Sequence, residues 1–220
     1  MPAVAGRLTW DGLGEKKFQR GVSQVVLYLY NPTTQKWEGV AWNGCRNMTD
    51  SPEGGDAEDY YADNQLYASL RGVEKLKGSG EVYTWPDEFD KCVGKEEIST
   101  GISVGQQPKA PFCVCYRSEV GTDQNPNAGY VLNLIYNATA DAVELSHDTD
   151  EESPQLEPIS FNFSCTPVPV PGKKPTSKLE IKSLTTPAEK LTLIENALYG
   201  TESVIPYMPM PAQLIELITG

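Results

Sequence analysis

One short stretch of this sequence concentrates the side chains that could do chemistry. Residues 54–72 read GGDAEDYYADNQLYASLRG, in which three tyrosines stand among carboxylates and carboxamides. Oxygen ligands of this kind bind hard cations, amphipathic aromatic side chains form platforms for ligands, and unpaired polar strands join neighbouring chains. These residue types are therefore compatible with a metal site, a sugar-binding cleft or the edge of an assembling protein.

A second acidic stretch surrounds the sole histidine, His147, so any Ser-His-Asp or histidine–metal arrangement would have to use that residue. Four carboxylates follow it and invite calcium: Asp148, Asp150, Glu151 and Glu152. An EF-hand loop needs Gly at its sixth position and Glu at its twelfth, where this chain has Ser153 and Ile159. The stretch is better interpreted as a solvated acidic loop.

Nucleotide-binding and nucleophile motifs are missing from the sequence. There is no G-x-S-x-G, no Walker glycine loop and no G-x-G-x-x-G. Paired carboxylates for glycoside hydrolysis can be chosen freely from 30 acids, so the sequence offers no separation to test. We therefore expect no enzymatic activity and no cofactor.

The five cysteines form neither a disulfide framework nor a zinc ribbon, because their number is odd and no C-x-x-C pair occurs. Cys113 and Cys115 are two residues apart in PFCVCY, which places both on one face of a strand. We expect them to be small buried hydrophobic residues.

The charge of the chain limits its partners. Its 220 residues carry 30 acids and 18 bases, a formal net charge of −12, and phosphate neutralisation needs clustered Lys and Arg instead. Two stretches, 50–63 and 141–157, contain acids without any base, and charge alone favours two solvated loops. The sequence shows no signal-peptide core and no run of eighteen apolar residues, so we expect a cytosolic protein when made.

Strand-forming patterns dominate the chain. The β-branched and aromatic stretches 21–30 and 36–44 flank NPTTQ and predict a hairpin, followed by an acidic, Gly-rich loop at 46–56. Short strands are predicted at DYYAD and QLYASL, and GSG at 78–80 reads as a turn or bulge. Later strands are predicted at 111–120, 129–140, 159–168 and 178–184. Strands punctuated by Gly, Pro and Asn predict a mainly β, antiparallel sandwich or barrel.

Helix signals occur in three places. TWPDEFDKCVG predicts about two turns that end at Gly94. TTPAEKLTLIENALYG predicts a helix capped by Thr186, with Glu189 in the capping-box position and Gly200 as its stop. PAQLIELI predicts a final amphipathic segment. The extended, Pro-rich stretch TPVPVPGKKPTSK separates most of the body from the C-terminal part, which predicts a β domain at 1–183 and a helical C-terminal arm at 184–220.

The order of these motifs resembles that of the major tail proteins of long, noncontractile-tailed phages of Gram-positive hosts. YYADNQLYASL is followed by a strand, WPDEFDKCVGKE, PFCVCYRSE, GYVLNLIYNATA and FNFSCTPV. The segment PAEKLTLIENALYGTESVIPYMPMPAQLIEL is similar to a C-terminal tail common among these proteins. The resemblance extends from about residue 21 to residue 217.

The resemblance implies a tail-tube fold, a β-sandwich or barrel-like body with one short flanking helix. Six copies would form a ring, and stacked rings would form the virion tube for genome ejection, built in the host cytoplasm. The implied partners are further copies and the tape measure, tail terminator and tail-tip proteins, with DNA only in transit, no membrane and no cofactor. The ring-stacking loop would comprise Asp50, Glu53, Asp56, Glu58, Asp59, Tyr60 and Tyr61. Asp148, Asp150, Glu151 and Glu152 are candidates to face the lumen, where acids repel DNA phosphates.

Two other interpretations remain open at this stage. The chain could be a monomeric carbohydrate- or ligand-binding β-sandwich, with a platform of Tyr60, Tyr61, Tyr67 and Trp85, or a capsid decoration protein. The C-terminal arm carries apolar stripes too large to be left in water: Leu191, Ile194, Leu198, Leu214, Ile215 and Ile218. They are expected to complete the chain's own core or to dock on an adjacent subunit.

Overall fold

The computed structural model describes residues 9–72, 74–146, 149 and 156–219. The fold is mainly β with antiparallel strand pairing, as the sequence predicts. The strands are β1 Lys17–Asn31, β2 Lys36–Trp42, β3 Cys45–Glu53, β4 Ala57–Ala62, β5 Gln65–Arg71, β6 Lys75–Val82, β7 Glu96–Ser99, β8 Ile102–Val104, β9 Phe112–Thr122, β10 Gly129–Ala140, β11 Ile159–Cys165 and β12 Lys178–Lys182. A 3-10 helix spans Asp87–Lys91, and two α-helices follow at α1 Ala188–Tyr199 and α2 Pro211–Thr219.

The main sheet has the order β2-β1-β9-β10-β11-β6-β3, and it branches at β10. The first part of β10, residues 131–135, pairs with β12, whereas residues 138–140 pair with β11. Between them the register shifts, and Asn137 adopts a left-handed φ of 48°. A bulge of this kind bends a strand and re-aims its side chains. Strands β11, β6 and β3 thereby pack over one face of β1, β9 and β10.

The first core lies between these two layers. Alternate residues of β1 and β9, such as Leu27 and Phe112, face it from one side, and Phe161 and Phe163 of β11 face it from the other. Phe89 of the 3-10 helix closes the end of this core, with its ring edge-on to Phe112 at 5.3 Å. This aromatic core holds the branched sheet together.

The second core covers the opposite face of β1, β9 and β10 with the C-terminal helices. Cys113 and Cys115 face it and are fully buried, as the sequence predicts, and burial raises the pKa of each thiol to about 12. Two buried tyrosines of the sheet donate to carbonyls of the C-terminal segment: Tyr28 Oη to Leu198 O at 2.7 Å, and Tyr136 Oη to Pro209 O at 3.2 Å.

The C-terminal helices therefore dock on the chain's own sheet. Ile194, Leu198 and Leu214 are buried there, Leu191 and Ile218 are partly buried, and Ile215 stays exposed. Helix α1 lies where the sequence places it and ends at Gly200 with φ 77°. The predicted cap is wrong, since Pro187 precedes the first turn and no side chain caps it. The boundary between 1–183 and 184–220 stays a prediction.

Two sequence predictions about loops are wrong. Residues 45–53 form strand β3 instead of the loop predicted at 46–56, because β6 supplies a pairing partner along the whole segment. The Pro-rich connector turns back on itself, with Val168 N to Thr176 O at 2.8 Å and Thr176 N to Val168 O at 2.9 Å, and Val168 is buried in the second core. Neither outcome follows from composition, because each depends on a pairing partner that composition does not identify: β6 for β3, and Thr176 for Val168.

The glycines of GSG lie inside β6, not in a turn. A Cβ at Gly78 would lie 2.4 Å from Phe163 Cζ, and a Cβ at Gly80 would lie 2.4 Å from Phe161 Cε1. The two rings occupy the space that side chains on β6 would fill, so glycine is required by close packing here.

Candidate assembly surface

Residues 54–72 include the outer half of a long hairpin. Strands β3 and β6 pair from Cys45 and Val82 up to Glu53 and Lys75. Gly54 and Gly55 follow, with φ values of 89° and 84°, and the chain then continues into β4 and β5, which pair only with each other within the described residues. We call residues 57–71 the β-arm.

The tip of the β-arm is a tight two-residue turn. Asp63 and Asn64 have φ values of 52° and 59°, the left-handed conformation that type I′ hairpin turns require and that Asp and Asn tolerate well. The predicted strands at DYYAD and QLYASL are confirmed as β4 and β5. Local turn chemistry thus favours this hairpin.

The β-arm exposes apolar surface that a monomer usually buries. Tyr67 is 80% exposed, Tyr61 71%, Leu70 60% and Leu66 55%. Register places Leu70 opposite Glu58 and Ala68 opposite Tyr60, and Tyr60 Oη donates to Glu58 Oε2 at 3.0 Å. Isolated two-stranded hairpins are marginal in water, so a partner that covers these side chains would stabilise the arm.

The β-arm is also acidic. It carries Glu58, Asp59 and Asp63 against a single base, Arg71. A partner surface that complements the arm must therefore combine apolar area with positive charge.

Asp50 lies in strand β3 and is less exposed than the β-arm, so its assignment to a ring-stacking loop stays a prediction. Its side chain is 17% exposed. It accepts hydrogen bonds from Tyr116 Oη at 3.1 Å and pairs with Lys178 Nζ at 2.5 Å. Burial and then the Asp50 carboxylate raise the pKa of Tyr116. The carboxylate thus links β3 to β9 and β12 inside the molecule.

The other predicted assembly residues divide between the two parts of the hairpin. Glu53 lies at the end of β3 and forms an exposed ion pair with Lys77. Asp56 precedes β4, and Glu58, Asp59, Tyr60 and Tyr61 lie on it. The candidate lumen residues Asp148, Asp150, Glu151 and Glu152, like His147, lie outside the described residues.

Trp85 does not join the tyrosines in a ligand platform. Its indole packs edge-on against Phe89 at 5.7 Å and donates to Asp90 Oδ1 at 3.0 Å, so it serves the first core. None of the aromatic pairs found in the described parts of the chain includes Tyr60, Tyr61 or Tyr67. The tyrosines of the β-arm therefore do not pack against Trp85 or the first core.

The sequence patterns did not predict a second exposed hairpin, formed by β7 and β8. Strands β7 and β8 pair with each other, and Ile98 and Ile102 are 66% and 56% exposed. The signal that could have found it is the pair of β-branched residues on either side of Thr100-Gly101, where Gly101 has φ 77°.

Across residues 9–72, 74–146, 149 and 156–219, no group of three or more His, Cys, Asp or Glu is placed to hold a metal ion. No helix in the same ranges is long and apolar enough to cross a membrane.

Seven chains of solved structures match this chain. No model of a protein family matches the chain, and no curated protein matches it. The chain is similar to a chain in the cryo-EM structure of an extracellular contractile injection system, the PVC sheath-tube complex in its extended state. Identity is 11%, the TM-score is 0.34, and the match covers 72% of this chain and 88% of the other. At that score the likeness carries no conclusion about function.

Proposed function

We propose that this protein is a structural virion protein of a long, noncontractile-tailed phage, which polymerises as stacked rings, six copies in each, into the tail tube. The role is non-enzymatic, and the tube conducts the genome during ejection. The tape measure, tail terminator and tail-tip proteins would be its other partners, with assembly in the host cytoplasm.

The exposed β-arm carries this proposal. It places acidic, aromatic and aliphatic side chains in water on two strands that have no other pairing partner within the described residues. Strands presented in this way are liabilities in a monomer and joints in a polymer. The order of motifs along the sequence supports the same conclusion independently.

The test is electron microscopy of the purified protein over a range of concentrations, with an arm-deleted variant beside it. Removing residues 57–71 joins Asp56 to Gly72 and leaves residues 54–56 and 72–74 to connect Glu53 with Lys75, which are already paired. Shortening a surface connection costs little free energy, so the variant is expected to fold.

Hollow tubes from the wild-type chain and none from the arm-deleted chain would support the proposal. A wild-type chain that remains monomeric at every concentration, with or without tail-tip proteins as nuclei, would contradict it. Attachment to capsids without tube formation would instead favour a decoration protein.

A further inference from the structure

A groove on the sheet surface has the properties that the β-arm requires of a partner. It has a volume of about 310 Å³ and lies where the start of β1, the end of β9, the start of β10 and the end of β12 meet. Its lining includes Lys17, Phe18, Tyr130, Lys182 and Leu184. We call it the lysine-rimmed groove.

Two glycines leave room for partly exposed apolar side chains of this groove. A Cβ at Gly121 would lie 2.5 Å from Phe18 Cζ, and a Cβ at Gly129 would lie 2.7 Å from Leu184 Cγ. Phe18 and Leu184 nevertheless remain 43% and 47% exposed. Because glycine has no Cβ, these two apolar side chains pack against the backbone and still remain partly exposed.

The charge of the groove is opposite to that of the rest of the chain. Lys17 and Lys182 line it, and no carboxylate does, although the chain has a net charge of −12. Neither lysine forms an ion pair with any residue that the structure describes. Positive charge beside exposed apolar area is the complement of the acidic, apolar β-arm.

We propose that the β-arm of one copy docks in the lysine-rimmed groove of a second copy. Carboxylates of the arm meet Lys17 and Lys182, and its exposed tyrosine and leucine side chains cover Phe18 and Leu184. The volume suits one or two side chains rather than a whole strand, so the remaining arm lies across the surface. This inference rests on the proposed self-assembly and names the two surfaces that make the contact.

The contact joins different patches on the two copies, so it is heterologous. Such contacts propagate from copy to copy and close into rings or continue as filaments, whereas a self-complementary patch stops at a dimer. Each copy carries both an arm and a groove, so its arm can bind one neighbour while its groove binds the arm of another.

Cross-linking tests the geometry. One tagged chain carries Tyr61→Cys, a differently tagged chain carries Leu184→Cys, and the two are mixed under assembly conditions and oxidised. We expect a disulfide-linked pair of the two tags. The matched control replaces Leu184→Cys by Ile98→Cys, an exposed apolar position on the β7–β8 hairpin, and is expected to give no linked pair.

Charge reversal tests the electrostatics. Lys17→Glu with Lys182→Glu should raise the concentration needed for assembly by about tenfold or more, because like charges across a contact cost several kcal/mol. Glu58 and Asp59 lie on opposite faces of β4, so Glu58→Lys with Asp59→Lys places a lysine on each face. This arm variant should restore assembly of the groove variant. The control Lys173→Glu with Lys174→Glu changes net charge equally in an exposed turn and should leave assembly unchanged.

The outcomes separate this inference from the proposed function. If the wild-type chain assembles but the groove variant assembles like its control and no linked pair forms, arm-to-groove docking is wrong while self-assembly stands. If the wild-type chain does not assemble at all, both proposals fail. A linked pair together with rescue by the arm reversal supports both.

Discussion

Two parts of the molecule leave the main sheet with apolar side chains, and they use them differently. Helices α1 and α2 bury Ile194, Leu198 and Leu214 on the sheet, whereas the β-arm leaves Leu70 and Tyr67 in water. The difference lies in the receiving surface. One face of β1, β9 and β10 is left uncovered by the first core and carries buried hydroxyls that need acceptors, which the C-terminal segment provides.

Charged and aromatic contacts reinforce this docking of the helices. The guanidinium of Arg117 on β9 lies 4.0 Å from the ring centre of Tyr130 and 5.1 Å from that of Tyr199, and it pairs with Glu195 of α1. Burial and then the Glu195 carboxylate raise the pKa of Tyr130 to about 12. No equivalent set of partners contacts the β-arm within the described residues. A segment that leaves the sheet thus packs back on it only where the sheet offers both apolar surface and polar partners.

Truncation after Ser183 should have the largest effect on this comparison. It removes α1 and α2 and exposes the second core, at about 1.5–3 kcal/mol for each buried aliphatic side chain lost. A domain of this size has roughly 5–15 kcal/mol of stability. We therefore expect the truncated chain to lose its cooperative unfolding transition in urea, as measured by circular dichroism. A truncated chain as stable as the full one would mean that the helices serve another subunit.

Gly78→Ala should have the next largest effect. The added Cβ would lie 2.4 Å from Phe163 Cζ and 2.7 Å from the carbonyl oxygen of Thr49, so overpacking should lower the free energy of unfolding by about 1–3 kcal/mol or more. Gly72→Ala is the matched control at the root of the arm, where no atom lies within 4 Å of the new Cβ. Equal stabilities of the two variants in urea titrations would contradict the packing role of β6.

Asp50→Ala should destabilise the monomer by about 1–3 kcal/mol, since Tyr116 and Lys178 lose their shared partner in a part-buried site. Asp59→Ala, on the exposed β-arm, should change the free energy of unfolding by less than about 0.5 kcal/mol. Thermal unfolding of both variants measures the difference. A reversed order would place Asp50 on the assembly surface after all.

Replacing Tyr61 and Tyr67 by Ser should have the smallest effect on the monomer, within about 0.5 kcal/mol, because both side chains are exposed. The same variant should fail to form tubes by electron microscopy, since it removes apolar area from the proposed joint. Normal tubes from this variant would mean that another surface makes the contact. The β7–β8 hairpin would be the first such surface to test.

Local patterns accounted for a good part of this structure. The β1–β2 hairpin, strands β9 and β10, the β-arm and both C-terminal helices follow from β-branched runs, turn residues and helical periodicity. Each is specified by neighbours within a few residues, as the left-handed turn at Asp63 and Asn64 illustrates. The shared burial of Cys113 and Cys115 follows from strand alternation in the same way.

The sequence by itself determined which segments are strands or helices wherever side-chain periodicity and turn chemistry act over short distances, and it located the acidic, tyrosine-rich hairpin. Only the tertiary structure decided that β3 is a strand, that Asp50 points inward, that Gly78 and Gly80 make room for two phenyl rings, and that the C-terminal helices dock on their own sheet. The physical reason is that these outcomes depend on partners far away in the chain. The polar segment β3 forms strand hydrogen bonds only because β6 lies beside it. Glycine is required at 78 and 80 only because rings of β11 pack there. The C-terminal helices dock only because the sheet that contains the branched β10 offers them a surface.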